Sequence, residues 1–407
     1  MKLMKLETLV LLSLIAIVAM LSATAHAQTF SVIHTFTGTG GDGAYPQSGV
    51  TLKGSALFGT TQDGGEGGVG GPGTVYQMTH TESGWNYAPI FLFPRNMSGG
   101  AGPVARVVFG PDGHLYGTTN YGGAYQGGGV VFYLTPPVSI CKTVFCPWKE
   151  NVIWNFGNGT DGANPGGGDL VWDDQGNIYD TTSAGGTYSS GTFYKMQKVG
   201  SVWTEEVRLA FNNTDYESCP AGSPWGGVTY VNGGFYGTGT TGPHGARAWE
   251  VDQFNNLGCL QSFSPGLQAG LTADGSGNLY GASSSGGTNN GGTVFELVNS
   301  PFGYTFNVLY NLSGPAGQCG PQANLTLDAA GNLYGTTVCD GANHFGNVFK
   351  LTRVGNTWVY TSLYEFTGGS DGEYPISNVS IDSDGTLYGT ASSRGANNLG
   401  VVWMIKP

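Results

Sequence analysis

Charged side chains are scarce in this chain of 407 residues, making up 10% of it, and its 15 Lys and Arg against 27 Asp and Glu form no basic cluster. With a formal net charge of −12, that argues against nucleic acid and against anionic membrane surfaces, where phosphate contacts need grouped cations. The sequence has one long apolar run, Leu9 to Leu21, shorter than a comfortable membrane span, and no second run follows it. This argues against integral membrane residence. Helix formers are sparse outside that run. There is no nucleophile elbow and no zincin helix, and the many Gly-Gly pairs have no helix after them, so they cannot cradle a phosphate as a P-loop does.

The apolar run itself has a function. Lys2 and Lys5 precede it and Ala25-His26-Ala27 follows it, the pattern of a secretory signal over residues 1–27 with cleavage before Gln28. No cysteine stands near the cleavage site to carry a lipid, so release beyond the inner membrane is expected, with an uncleaved N-terminal anchor as the alternative. The remainder is rich in turn and strand formers, with 72 glycines and 12% aromatic residues, which predicts an all-β protein.

The stretch from Asp328 to Thr337, DAAGNLYGTT, is a unit that recurs seven times. It reads as a strand end, a tight turn in which the Asp bonds the backbone and Gly331 takes positive φ, and a new strand. Its aromatic falls at Phe58, Tyr116, Tyr179, Tyr236, Tyr280, Tyr334 and Tyr388, at steps of about 44 to 63 residues, the range of propeller blades. Each repeat divides into four strands. The third is GTVF-like and occurs seven times, from Gly73 to Met78 through Gly400 to Ile405. The fourth occurs six times after the first repeat, and the missing copy is Ser31 to Phe36, at the start of the mature chain. An open solenoid has no reason to begin with the last strand of its repeat, whereas a closed ring leaves no bare edge that way. The expectation is a single seven-bladed β-propeller over residues 28–407, four strands to a blade, with the last blade closed three-plus-one by the N-terminal strand. Tyr alternating with Gly in LYGTT suggests a large ring on one face and room for the neighbouring blade on the other. Asp180 replaces that Gly in the third repeat; it reads as repeat drift at a solvated position, the alternative being a functional carboxylate on the channel or upper face.

With the repeat laid out, GTVF, LYxF, GGxDGxxP and DxxGNLYGTTxxGG together resemble the GloVer (Gloeo/Verruco) tandem-repeat family of bacterial extracellular proteins. GGSDGEYP at Gly368 to Pro375 and DAAGNLYGTT match best; the fourth and fifth repeats depart, with SCPAGSPW and SPGLQAG in place of GGxDGxxP. The resemblance implies a secreted or surface-displayed repeat protein of unassigned activity. Family members often end in a sorting tail and nothing follows Pro407, so release is the expectation over surface anchoring. More loosely, the turn-and-strand pattern is similar to NHL-type and streptogramin-lyase-type propellers, which bears on fold and not on chemistry.

Six cysteines in an exported chain suggest disulfides, and their positions favour local pairs: Cys141 with Cys146 in an insertion, Cys319 with Cys339 across one hairpin, and Cys219 with Cys259 within the fourth repeat. Close Cys pairs with His at zinc spacing are lacking. Asp42, Asp161 and Asp371 lie in blade-joining DG loops. They could face one rim and bind calcium, although no single loop supplies the alternating ligands of a calcium site and Asp-Gly is first of all turn chemistry. The turn aspartates Asp112, Asp174, Asp274, Asp328 and Asp384 belong to the opposite rim and read as Asp-stapled hairpins.

A reacting site should show as a departure from the repeat, and His244 and His344, in loops between second and third strands, are such departures. They support one functional reading, a metal-assisted lyase or hydrolase with a histidine as general base. The favoured reading is a monomeric binding or interaction scaffold without a cofactor. Its ligand surface would be the rim carrying Tyr45, Tyr121, Tyr125, Tyr188, Trp225, Tyr374 and Arg394 together with the two histidines, and its ligand an extracellular glycan, cell-wall component or protein.

Overall fold

The computed structural model describes residues 28–125, 127–137, 146–212, 222–240, 245–263, 266–315, 317 and 319–407. The expected signal, Cys141, Cys219 and His244 lie outside these residues. Among them the regular structure is all strand, in seven four-stranded antiparallel blades, with short added strands beside blades 1 and 3. In blade 1 the strands run outward from the centre as Thr51–Lys53, Ala56–Thr61, Thr74–Thr81 and Gly84–Leu92. Blades 2 to 6 repeat this order within residues 108–155, 171–210, 228–263, 272–311 and 326–365. Blade 7 takes Ser380–Ile381, Leu387–Ala391 and Val401–Lys406 from the C-terminal end, and its outer strand is Thr29–Thr35, paired from Thr29 with Lys406 to Thr35 with Val401. The three-plus-one closure expected from the repeat offset is therefore present.

In five of the seven blades, all but 1 and 4, the turn of the repeat is held by one carboxylate. Asp328 Oδ1 accepts the amides of Ala330 and Asn332 at 2.9 and 2.8 Å, and Oδ2 accepts Asn332 Nδ2 at 2.7 Å and the Tyr334 hydroxyl at 3.1 Å. The aromatic that sets the repeat thus reports back to the aspartate six residues before it. Two assignments within this pattern are corrected: the stapling residue is Asp173 where Asp174 was expected, and Asp382 where Asp384 was expected, because these are the carboxylates that accept from Asn177 and Tyr179 and from Thr386 and Tyr388. Burial works against the charge of Asp328, and its donors outweigh burial and hold its pKa below the usual value. A depressed folded pKa gives stability that is present above the unfolded pKa near 4 and is lost as pH falls through the folded one. Asp328→Ala should therefore cost about 1–2 kcal/mol at pH 7, with the half-exposed site limiting the loss. The melting difference from the parent should narrow below about pH 4.

The glycine beside that aromatic makes room for a ring of its own blade, not for the neighbouring blade as expected. A Cβ on Gly237 would lie 2.3 Å from the Trp249 ring, and one on Gly389 would lie 2.3 Å from Trp403. The third-strand rings reach this position because every blade slips register between its third and outer strands at the same place, as at Val75/Tyr76 and Val348/Phe349, and a bulge re-aims side chains.

Blades are joined by a relay of hydroxyls. On the innermost strands Thr51 donates to Val107 O, Thr272 to Leu325 O and Thr326 to Val379 O, at 2.5–2.6 Å. Ser380 donates to Val50 O at 2.5 Å and Thr390 to Ser48 O at 2.9 Å, carrying the relay from blade 7 back to blade 1. Aromatic, Leu and Val side chains fill the interfaces between these links.

Candidate functional site: the channel mouth and upper rim

Strand direction sorts the loops. In an antiparallel blade the loop entering the first strand and the loop between the second and third share one end, called the upper rim here; the remaining turns share the lower rim. The first strands line a central channel of about 610 Å³. Its upper mouth is formed by the blade-joining segments and carries the side-chain amides of Gln47, Gln268, Gln322, Asn324 and Asn378, with Ser48 and Trp225 beside them. Trp225 is 36% exposed and lies on a glycine run of blade 3; a Cβ on Gly167 would be 3.0 Å from its Nε1. The missing side chain is what lets the indole lie flat at the mouth. Asn324 Oδ1 accepts from the Gly270 amide at 2.6 Å, fixing its orientation.

Beneath the mouth Arg106 crosses the channel. Its Nε donates to Asp169 Oδ2 at 3.1 Å and its Nη2 to the same oxygen, while Nη1 lies 3.4 Å from Ser380 Oγ on blade 7. Burial opposes the charge, and the Asp169 carboxylate more than restores it, raising the Arg106 pKa. The pair gives a neutral amide-lined mouth a charged but self-compensated floor.

The other rim residues are dispersed. Tyr121, Tyr125 and Tyr188 stand on blades 2 and 3, about half exposed at 49, 48 and 54%. On blade 7 the Arg394 Nε lies 2.6 Å from Glu373 Oε2, with Tyr374, 41% exposed, next to it in sequence. Tyr45 is half-buried and packs on the core between blades 7 and 1. His344 is exposed, with φ +61°, at the left-handed position of a loop where blades 3, 5 and 7 carry Ser189, Asn290 and Asn398. It borders a pocket of about 500 Å³ with Asp340, Asn347, Tyr360 and Glu365.

The DG aspartates close their own loops. Asp42 accepts from the Thr37 amide and hydroxyl and the Gly43 amide, and lies 3.2 Å from His34 Nε2. Asp371 accepts from Tyr364, Thr367 and Gly369, and Asp161 from Trp154 Nε1 and the Gly157 amide. No group of three or more His, Cys, Asp or Glu able to hold a metal occurs among the described residues. Cys319 and Cys339 form the expected disulfide, their Cα atoms 4.5 Å apart. Cys146 and Cys259 are also disulfide-bonded.

One departure from the repeat was visible in the sequence but misplaced, and three others escaped it. Asp180 is corrected from a solvated position to a fully buried one; neither of its oxygens finds a hydrogen-bond partner, and burial pushes its pKa well up. Glu150 and Glu205 stand on outer strands where blades 1, 5 and 6 carry Tyr87, Phe306 and Tyr360, and burial pushes both up to about 7. Arg247 is buried where the same strand of other blades has Thr74, Val130 or Asn347, and its Nε and Nη1 have no partner among the described residues. Aligning the third and outer strands by column would have exposed the last three.

These features define a closed seven-bladed β-propeller with a polar channel mouth. Residues 251–407, which include blades 5 and 6 and the three C-terminal strands of blade 7, match the Gloeobacter/Verrucomicrobia repeat, and the chain carries that repeat there, as the resemblance implied. No curated protein sequence matches the chain. Among solved structures it is similar to the polysaccharide lyase Uly1, with a TM-score of 0.55 and 11% identity over 92% of each chain. It is also similar to a PL25 ulvan lyase bound to -[GlcA(1-4)Rha3S]-, with a TM-score of 0.54 and 11% identity over 92% of this chain and 95% of that one. At such identity these are likenesses of fold.

Proposed function

We propose that the protein is an exported binding scaffold that takes a neutral saccharide, from an extracellular glycan or cell-wall polymer, at the channel mouth. The observation carrying this reading is the ring of side-chain amides at the mouth beside the half-exposed, glycine-seated Trp225. Amides offer both donors and acceptors to sugar hydroxyls, and an indole face suits the apolar face of a pyranose ring. The disulfide supports an oxidising compartment outside the cytoplasm.

The test is a glycan array followed by titration of the best hit. Trp225→Ala should weaken binding by roughly tenfold or more, and Gln268→Ala by a few-fold, with melting unchanged in both. A parallel turnover assay with and without chelator addresses the enzyme reading. Chelator-sensitive turnover lost in His244→Ala or His344→Ala would overturn the scaffold proposal.

A further inference from the structure

The pocket that His344 borders, on the upper rim of blade 6, gathers three further departures from the repeat. Asp340 stands three residues after Thr337, where blades 1, 2, 3 and 5 have Gly64, Gly122, Gly185 and Gly286; in each of these blades the carbonyl at this column accepts the amide of the glycine before the third strand. Glu365 ends its outer strand opposite Asn347, where blades 2 and 5 have Asn155 and Asn311. Those asparagines hold a loop amide with Oδ1, that of Ala124 at 2.8 Å and that of Thr288 at 3.1 Å. Glu365 Oε2 does the same for Ala342 at 3.0 Å and brings a charge with it. Asn347 stands where blades 1, 3 and 5 have Thr74, Thr192 and Thr293, and its Nδ2 donates to the Tyr360 hydroxyl at 2.8 Å, leaving that hydroxyl's proton for another acceptor. Asp340 is the enclosed member, 7% exposed. Its Oδ1 accepts from the Gly341 amide at 2.7 Å, whereas its Oδ2 accepts from no described residue. Gly314 leaves the carboxylate its place, since a Cβ there would lie 2.9 Å from the Asp340 Cγ. A carboxylate this enclosed and half-satisfied calls for a donor from outside the chain.

We propose that this pocket of about 500 Å³ binds the ammonium group of an amino sugar. Among the described residues lining it, His344 aside, the ionisable groups are the carboxyls of Asp340 and Glu365 and the Tyr360 phenol, with no Lys or Arg. The cation of the next blade, Arg394, is spent on Glu373 at 2.6 Å. Both carboxylates bear on one space: burial raises the Tyr360 pKa, the bond from Asn347 opposes this, and the charges of Asp340 and Glu365 add to the rise. The two acids and His344 do not form a group able to hold a metal ion. An organic ammonium, which donates several charge-assisted hydrogen bonds along directions of its own, fits them instead. Around the carboxylates the lining is hydroxyl and amide, from Ser313, Ser362, Asn347 and Tyr360, with Pro315 and Ala342 the aliphatic side chains. That suits ring hydroxyls and gives little cover to the apolar stem of a lysine. The site is separate from the channel mouth and does not rest on the reading given for it.

The experiment is calorimetric titration of the mature chain with a glucosamine oligosaccharide and with its N-acetylated form, at a pH between the carboxylate and amine pKa values. The two share their ring hydroxyls and differ in charge. The amine is expected to bind at least about tenfold more tightly. Asp340→Asn keeps an oxygen for the Gly341 amide, so it should melt as the parent does and bring that ratio to near one; Glu365→Gln should lower it in part. A neutral-sugar site at the mouth contributes to both titrations alike, so the ratio reads this pocket whether or not the mouth binds. Equal affinity for the two sugars, no binding of the amine, or a ratio that Asp340→Asn leaves unchanged overturns the proposal. So does a lysine peptide that binds more tightly than the amino sugar and is lost in the same variant, which would make a protein the occupant.

Discussion

A chain beginning after Phe36 is expected to lose cooperative melting and to aggregate, compared with one beginning at Gln28. The segment Thr29–Thr35 supplies the whole outer ladder of blade 7, and its side chains serve two blade interfaces at once. Toward blade 6, Phe30 stacks on Tyr364 with ring centres 3.6 Å apart and meets Phe366 edge-on at 5.8 Å. Toward blade 1, His34 stacks on Tyr87 at 4.0 Å, and the fully buried Phe36 contacts Tyr76 at 5.5 Å. The buried Phe36 contributes roughly 3–5 kcal/mol by truncation and the half-buried Phe30 a smaller share, before any ladder bonds are counted. That is a large share of the whole stability of a typical domain, about 5–15 kcal/mol. The truncation also bares Val401–Lys406 as an edge able to pair with another chain. Light scattering and calorimetry on the two chains decide it; a truncated protein that stays monomeric and melts as the longer one does would contradict closure as the source of stability. Phe36→Ala is the milder test, with an expected loss of about 3–5 kcal/mol in a protein that still folds.

How much of this was legible in the sequence depends on how local each feature is. Blade number, strand order and closure follow from a repeat whose turn, aromatic and glycine lie within ten residues, and from the position of one unpaired strand. The disulfide between Cys319 and Cys339 was legible for the same reason: it continues a hairpin, and the Cys339 amide still donates to Cys319 O at 3.1 Å. Features needing a second blade were not legible. The mouth is built from one or two residues of each of several blades, and the Pro that precedes many of these gives no sign that the following Gln faces the axis. Exposed tyrosines were read as a group because they share a rim, yet Tyr45 packs inward while Tyr374, its counterpart before a proline in blade 7, stands out. The choice between Asp173 and Asp174 is a matter of which carboxylate reaches back to Asn177, and adjacent acids make that ambiguous in a string of letters.

Replacing Asp180 by glycine is expected to stabilise the protein, and by more at pH 7.5 than at pH 4. Six blades carry glycine at this column beneath a third-strand ring, whereas blade 3 sets a carboxyl opposite Tyr194 in the strand register. Both Asp180 oxygens and the Tyr194 hydroxyl are buried without hydrogen-bond partners, so even the protonated form costs about 1–3 kcal/mol. Ionisation adds to this. Burial raises the folded pKa and outweighs the opposing pull of the nearby Thr181 amide and Tyr194 hydroxyl, and Asp169 raises it further, so the folded state holds its proton more tightly than the unfolded chain does. For an acid shifted upward, the ionisation penalty is absent below the unfolded pKa near 4 and grows by up to about 1.4 kcal/mol per pH unit until the folded pKa is passed. Glycine in a strand gives back roughly 0.5–1 kcal/mol of chain entropy, which is smaller than the relief. Asp180→Gly should thus raise the melting temperature by several degrees at pH 7.5 and by little at pH 4, and adding Tyr194→Phe should raise it again by removing the second orphaned group. Melting curves of the parent and both variants across that range are the measurement. A variant that melts lower than the parent at pH 7.5 would show instead that the carboxylate is held by a partner, and blade 3 would then be where a ligand should be sought.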